Sequence, residues 1–344
     1  MKVKLSDIAK KTGFSVNTVS RALKGDPRLS EQTKEKINGT AQEMGYIRNY
    51  VALSMRRKST HTLGIVLADI SNPFFGEVML GIEDTARKLG YNILLINTDE
   101  NPENEFESVR LLIGRQVDGL LSIPVYDYPK NTDLYRSLDI PFIFAGRRVR
   151  DLENHCVLHA DESGMRLIVE QLIKSGHRRI LYIGGPLLIS SGIDRLSGYR
   201  TALANAGIGG DPALEALTNG HTEDGYQAII HAVSHGIDFT AVACFNDLVA
   251  MGVLKALSET GLRVPDAVEV FGFDNLDITR FMQPRLSTLD VPKYSLGQTA
   301  VEELIRHIED PEAEYKTIEL KTRVVLRETT KQNASVAHIH ERQS

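Results

Sequence analysis

Cysteine is scarce in this 344-residue chain. Cys156 and Cys244 stand far apart with no CxxC or Cys/His spacing, which excludes a disulfide framework or structural zinc site and points to a reducing compartment. No apolar run approaches the roughly 20 residues of a membrane span, and the opening MKVKLSDIAKKTG turns polar at once. The expectation is therefore a cytoplasmic chain, neither exported nor embedded. Catalytic fingerprints are missing too: GxxxxGK[ST], HExxH and GxSxG do not occur. Gly184-Gly185-Pro186 lacks dinucleotide spacing, and Pro186 removes a backbone donor a phosphate cradle would use, so a helix-entry turn is expected there. His159, Asp161 and Glu162 have no third group at ligand spacing, so no catalytic set, metal or cofactor is expected.

What is present is an ordinary globular composition, 42% hydrophobic and 25% charged, which excludes wholesale disorder and fibrous repeats. At roughly 100 to 200 residues per domain, the length implies two or three folded units. The net charge of −5 hides a division. Residues 1–60 carry 13 Lys+Arg against 5 Asp+Glu, a net +8, and the remainder carries 27 against 40, a net −13. An acidic body with a basic head is the charge footprint of nucleic-acid binding confined to one module. A solvated basic face would produce the same count.

From Thr62 onward, β-branched runs alternate with amphipathic stretches. Strands are expected at 62–67, 91–97, 119–123, 141–145, 179–183, 240–244 and 267–272. Helical patterns fill 75–89, 162–175, 193–206, 224–234 and 248–260, several closing on glycine. Repeated strand-helix-strand units with near-continuous apolar strands such as ILLIN and ILYIG imply parallel sheets covered on both faces. About 270 residues is long for one such sheet, so the α/β body is expected to form two lobes with a ligand crevice at the strands' carboxyl ends. Polar residues collect there: Asp69 through Phe75, Arg147-Arg148, Asn246-Asp247 and Asp274-Asn275. Each alone could be an N-cap or turn residue.

The first 25 residues parse as two short helices with a tight turn, a helix-turn-helix. Ser6 is expected to cap the first, which Gly13 ends, and Ser15 the second, which runs from Val16 to Leu23 before Gly25. Ile8, Val19 and Leu23 supply an apolar face, and a helix from Ser30 to Met44 would complete a three-helix core. Val16, Asn17, Ser20 and Arg21 are left outward. Asn pairs two-point with adenine and Arg with guanine in the major groove, and hydroxyls near a helix start reach phosphates.

The segment LSDIAKKTGFSVNTVSRALKG resembles the opening of the lactose-repressor (LacI) family of bacterial transcription regulators. Gly45-Tyr46 with Asn49 and Val51-Ala52, the DISNPFF run from Asp69, Gly176 to Ile180, Arg195 to Tyr199, Asn246-Asp247 and Gly272-Phe273-Asp274 carry the resemblance along nearly the whole chain. It implies a helix-turn-helix headpiece over 1–48, a hinge helix and linker over 49–60, and a two-lobed core like a periplasmic binding protein over 61–329. Lobe 1 would comprise about 61–160 and 291–322, lobe 2 about 161–290 and 323–329, with 330–344 a disordered tail. The implied function is a nucleoid-associated regulator, a repressor by family, acting as a homodimer on double-stranded operator DNA. Val16, Asn17 and Arg21 would face bases, Ser15, Thr18 and Ser20 phosphates; Asn49 would start the hinge helix and Met55 wedge into the minor groove. Arg48 departs from the usual proline.

For the effector cleft the resemblance implies Asp69, Phe74, Phe75, Arg147, Asp161, Arg195, Asn246 and Asp274, a set suited to a polyhydroxylated ligand, a sugar or sugar acid. Gly146 and Ala160 stand where many relatives place Asp, and the stacking ring expected near Gly220 is missing unless His221 supplies it. Arg147 and Arg148 leave room for an acidic sugar. A purine effector is the alternative within the family. Ser295 and Glu302 depart from the acidic and basic residues of carrier-protein-responsive regulators. A solute-binding protein would account for the body alone, and a sugar-acting enzyme for neither part. The tail has no leucine heptads, which favours a dimer over a coiled-coil tetramer.

Overall fold

The structure, a computed structural model, describes residues 3–46 and 59–331, in two units divided at Thr60. Asn49, Met55 and the tail from residue 332 lie outside the described residues. In the first unit α1 (Leu5–Thr12), α2 (Val16–Ala22) and α3 (Glu31–Glu43) pack around Ile8, Val19, Ala22, Ile37 and Ala41, with Leu23 and Ala9 at the edge of that cluster. Ser15 caps α2 as its sequence implies, its Oγ accepting from the Thr18 N–H at 3.1 Å, and Ser30 does the same for α3. Ser6 does not cap α1. The helix begins one residue before it, and the Asp7 carboxylate meets the Lys4 N–H at 2.8 Å, so the acceptor sits inside the first turn.

The second unit starts with β1 (Thr62–Leu67), α4 (Pro73–Lys88), β2 (Asn92–Asn97), α5 (Pro102–Gly114), β3 (Gly119–Ser122), α6 (Pro129–Arg136), β4 (Phe142–Ala145) and β5 (Cys156–His159). It continues through α7 (Asp161–Lys174), β6 (Ile180–Gly184), α8 (Ser190–Asn205), β7 (Glu215–Leu217), α9 (Thr222–Ser234), β8 (Ala241–Cys244), α10 (Asp247–Glu259) and β9 (Glu269–Phe271). It closes with β10 (Thr288–Asp290), α11 (Lys293–Glu309), β11 (Ile318–Leu320) and β12 (Arg323–Val325).

Two parallel sheets result, ordered β11-β5-β4-β3-β1-β2 and β7-β6-β8-β9, beside an antiparallel β10-β12 pair. Alternation along the strands decides which helices cover which face. Leu63, Ile65 and Leu67 of β1 join Leu121 and Ile143 beneath Val78 and Ile82 of α4 and Leu296 and Leu304 of α11. The intervening Val66, with Leu120, Phe142 and Phe144, meets Val109 of α5 and Tyr135 of α6 on the other face. Each fully buried side chain of this size contributes roughly 1.5 to 3 kcal/mol, so double coverage favours short all-apolar strands. The chain passes between the sheets at 159–161, 290–293 and 320–323. The β1, β3 and β6 carboxyl ends therefore open beside the loops that follow β8 and β9.

Candidate functional site

On the first unit, α2 carries an outward row. Val16 is 48% exposed, Asn17 is exposed, and Thr18, Ser20 and Arg21 are half-buried. Ser15 and Thr18 are partly engaged with each other, hydroxyl to hydroxyl at 2.9 Å. Arg21 is oriented rather than free: its Nε donates to Asp26 Oδ2 at 2.9 Å, which leaves the two Nη groups outside that pair. Asp26 also receives Arg28 through its side chain and backbone N–H, and these bonds with Arg28 and Arg21 hold its carboxyl well below the usual carboxylate range. A guanidinium fixed at one edge has less rotamer freedom to lose on binding.

On the second unit a cleft of about 420 Å³, open solvent at its mouth included, lies at the strands' carboxyl ends. Asn72, Phe74, Phe75, Arg147, Arg195, Asn246 and Asp274 line it, so six of the eight residues expected at the cleft meet there, joined by Asn72. Phe74 and Phe75 stand edge to face, centroids 5.3 Å apart. Asp69 and Asp161 do not reach the lining. Asp69 Oδ1 instead closes a turn, accepting from the Ser71 N–H and hydroxyl at 2.8 and 2.7 Å. Asp161 sits behind Arg195, its Oδ1 taking the Arg195 Nε at 2.6 Å.

Arg195 organises the site. It is 4% exposed, its Nη1 donates to the Phe245 carbonyl at 2.5 Å, and its Nη2 lies 3.3 Å from His159 Nε2 and 3.7 Å from Asp274 Oδ1. The guanidinium stacks 3.6 Å from the Phe273 ring centroid and 4.6 Å from that of Phe245. A charge this deep persists only when paired. Burial opposes ionisation of Asp161, but the neighbouring His159 and Arg195 outweigh it and hold its carboxyl below the usual range. Asp274 behaves oppositely. Burial dominates and pushes its carboxyl up, and among the described residues no hydrogen bond reaches its side-chain oxygens. Its backbone is held at φ 113, in the left-handed region that favours glycine.

Asn246 realises the local reading. Its Oδ1 caps α10 by accepting from the Val249 N–H at 2.8 Å, while its Nδ2 ties down the Gly220 carbonyl at 2.9 Å. Arg147 is closed by Glu100, bidentate at 2.7 and 2.8 Å, and donates to the Pro124 and Val125 carbonyls. Arg148 is likewise bidentate on Asp194, at 2.5 and 2.6 Å. The two arginines that left room for an acidic ligand thus both carry a carboxylate partner already.

Sequence reasoning missed His159 and Phe245 as cleft residues. His159 lines the cavity at the end of β5, and its buried Nδ1 has no hydrogen-bond partner among the described residues. Its place at a strand's carboxyl end was the available signal. Phe245 brings an aromatic ring to the cavity lining, whereas His221 precedes α9 as its N-cap residue and is absent from the lining. A Cβ on Gly185 would lie 2.6 to 2.7 Å from three Phe245 ring atoms, and one on Gly220 at 3.0 Å. Gly185 and Gly220 therefore form a seat for the Phe245 ring. No group of three or more His, Cys, Asp or Glu able to hold a metal occurs among the described residues, and no helix there is long and apolar enough to cross a membrane.

A helix-turn-helix unit joined in one chain to a ligand-cleft core of two parallel sheets defines a ligand-responsive transcription regulator. Residues 4–49 match the bacterial regulatory proteins of the lacI family, and residues 60–329 match the periplasmic binding proteins and sugar binding domain of LacI family. The ribose operon repressor of Haemophilus influenzae is 32% identical, across 94% of this chain and 98% of its own length. The HTH-type transcriptional repressor PurR of Vibrio atlanticus is 31% identical, across 95% of this chain and 98% of its own length. The crystal structure of the lac repressor dimer bound to operator and the anti-inducer ONPF superposes with a TM-score of 0.89 at 26% identity, covering 96% of this chain and 100% of that one. The chain belongs to the LacI family of transcription regulators.

Proposed function

We propose that this protein is a cytoplasmic, nucleoid-associated, homodimeric repressor whose operator affinity is set by a neutral sugar bound in the cavity around Arg195, and that it catalyses no reaction. The observation that carries the effector reading is the buried polar cluster facing aromatic walls. Among the described residues His159 Nδ1 has no partner and the Asp274 carboxylate accepts no hydrogen bond, and Phe74, Phe75 and Phe245 supply flat apolar surface. Hydroxyls that both donate and accept, on a ring with one apolar face, satisfy such a set. A neutral rather than an acidic sugar is favoured because Arg147 and Arg148 are each closed by a carboxylate.

In this reading Phe74, Phe75, Arg195, Asn246 and Asp274 contact the effector and Asp161 positions Arg195, whereas Arg147 frames the wall and Asp69 shapes the turn. Val16, Asn17 and Arg21 read bases, with Ser15, Thr18 and Ser20 toward phosphates. Asn49 and Met55 keep the hinge roles that the resemblance implies. Residues 1–48 form the headpiece, 49–60 the hinge, and 61–329 the core, divided into lobes near 160, 290 and 322.

A thermal-shift panel tests the effector class, with D-ribose, D-galactose and D-glucose against D-glucuronate, hypoxanthine and guanine. At a hundredfold excess over Kd, a ligand specific for the folded state adds about 2.7 kcal/mol, roughly 5 to 11 °C for a unit of this size. A shift confined to glucuronate overturns the neutral reading. A shift confined to the purines replaces the sugar by a nucleobase.

A further inference from the structure

Lys293 is 2% exposed at the first position of α11, where the helix dipole disfavours a cation. A buried ammonium there requires acceptors for its three donors. Its Nζ donates to the carbonyls of Asp274 at 2.7 Å, Asn275 at 3.2 Å and Val291 at 3.4 Å, and lies 3.3 Å from Glu77 Oε2 on α4. Two of those carbonyls belong to consecutive non-glycine residues at positive φ, 113° for Asp274 and 54° for Asn275. Such conformations are strained for residues with a Cβ and persist only where the surroundings over-determine them.

The loop is gripped from the other side as well. Asp247 Oδ2 accepts the Leu276 N–H at 2.7 Å, and Thr288 meets both Asp247 Oδ1 and the Asn275 N–H. These clamps belong to the second sheet and the β10 crossover. Among the described residues, Lys293 is the side chain of α4 or α11 that hydrogen-bonds the loop, and α4 and α11 touch backbone to backbone. A Cβ on Gly81 would lie 2.1 Å from the Tyr294 carbonyl oxygen, and one on Gly297 2.1 Å from that of Val78. The same α4 begins with Phe74 and Phe75 of the cavity wall.

We infer that Lys293 is a positioning residue for Asp274: anchored in the α4–α11 pair, it holds the strained 274–275 backbone so that the Asp274 carboxylate faces Arg195, and it fixes that loop relative to the Phe74–Phe75 wall. The inference rests on the reading of Asp274 as an effector contact and adds the group that aims it.

Hydrogen exchange and carboxyl carbon-13 titration on the effector-free full chain test it, so a sugar panel that fails leaves this test standing. Lys293→Met keeps length and removes the donors. It should speed exchange at the Asp274, Asn275 and Leu276 amides about tenfold or more, the effect of losing a charged hydrogen bond, with Ile65 and Leu121 of the first sheet unchanged. The Asp274 carboxyl, assigned with Asp274→Asn, should titrate at higher pH once the ammonium is gone, a change mere packing loss at α11 would not produce. Wild-type protection and an unmoved titration in Lys293→Met would overturn the assignment. Glu77→Gln removes the carboxylate partner and spares the three carbonyls, so the loop amides should keep wild-type protection even if the methionine variant does not fold. Loosening in Glu77→Gln would instead make Lys293 half of an ion pair with α4 and overturn its role on the loop.

Discussion

Removing the Arg195 guanidinium without a large volume change, as Arg195→Met, leaves Asp161 buried beside His159 with its strongest hydrogen bond gone. Breaking a buried ion pair from one side costs about 3 to 5 kcal/mol. For a unit of this length that lowers Tm by roughly 6 to 20 °C at neutral pH. The pH dependence has a definite sign. In the wild type, burial raises the Asp161 pKa, but His159 and Arg195 outweigh it, so the folded-state value is depressed. Stability from a depressed carboxyl is present above its ordinary value and lost as pH falls through the folded one. Without the guanidinium, burial acts with less opposition and Asp161 takes up a proton at higher pH, so the Tm gap between wild type and variant should narrow from about pH 7 to about pH 5. The double variant Arg195→Met/Asp161→Asn should be less destabilised than the sum of the singles by roughly 1 to 3 kcal/mol. Calorimetry of the four proteins at both pH values reads all of this. Additive losses, or a gap independent of pH, would refute the claim that Asp161 and Arg195 act as one buried pair.

Arg21→Ala should cost about 1 to 3 kcal/mol on the cognate operator and relax preference at one base pair per half-site, read by fluorescence anisotropy; equal weakening on random DNA would remove the base contact. Burial raises the Asp274 pKa, and Arg195, His159 and Lys293 only partly offset it, so its ionised form costs stability above the folded pKa and not below the ordinary carboxylate range. Asp274→Asn should therefore raise Tm at alkaline pH, leave it unchanged in acid, and weaken a neutral sugar about tenfold or more as a charged acceptor is lost. Gly185→Ala should drive the Phe245 ring into the cavity and weaken sugar binding, with operator binding of the effector-free protein unchanged; an unaltered sugar affinity would show that the ring is not part of the wall.

The parallel-sheet core was legible because strands such as β1, β3, β4 and β6 are short apolar runs, a pattern that double coverage enforces. The same rule misread β2. ILLIN is an edge strand with Leu94 and Leu95 at 41% and 38% exposure, so an apolar run there is not evidence of helices on both faces. Strands of three residues with a charge, such as β7 and β10, lie below what alternation can reveal. At the cleft, polar residues after strands were a sound guide to position and a poor one to role. Asn72 and Asn246 cap the following helices and Asp69 closes a turn, tasks that any strand-to-helix junction demands. Phe245 was hidden because its seat depends on two positions without Cβ, 185 and 220, that only the fold brings together.

A sugar in the cavity around Arg195 that sets operator affinity must have its own affinity set by operator to the same degree, because linkage makes coupling reciprocal. The most direct test of that coupling is operator binding by the full chain, titrated with and without a saturating sugar identified by thermal shift, in wild type and in Asp274→Asn. Sugar should shift operator affinity of the wild type by about 5- to 150-fold, and the variant should bind operator as the sugar-free wild type does while its response moves to higher sugar concentration. A sugar that binds the wild type without moving operator affinity, or an identical dose response in the variant, would contradict the coupling.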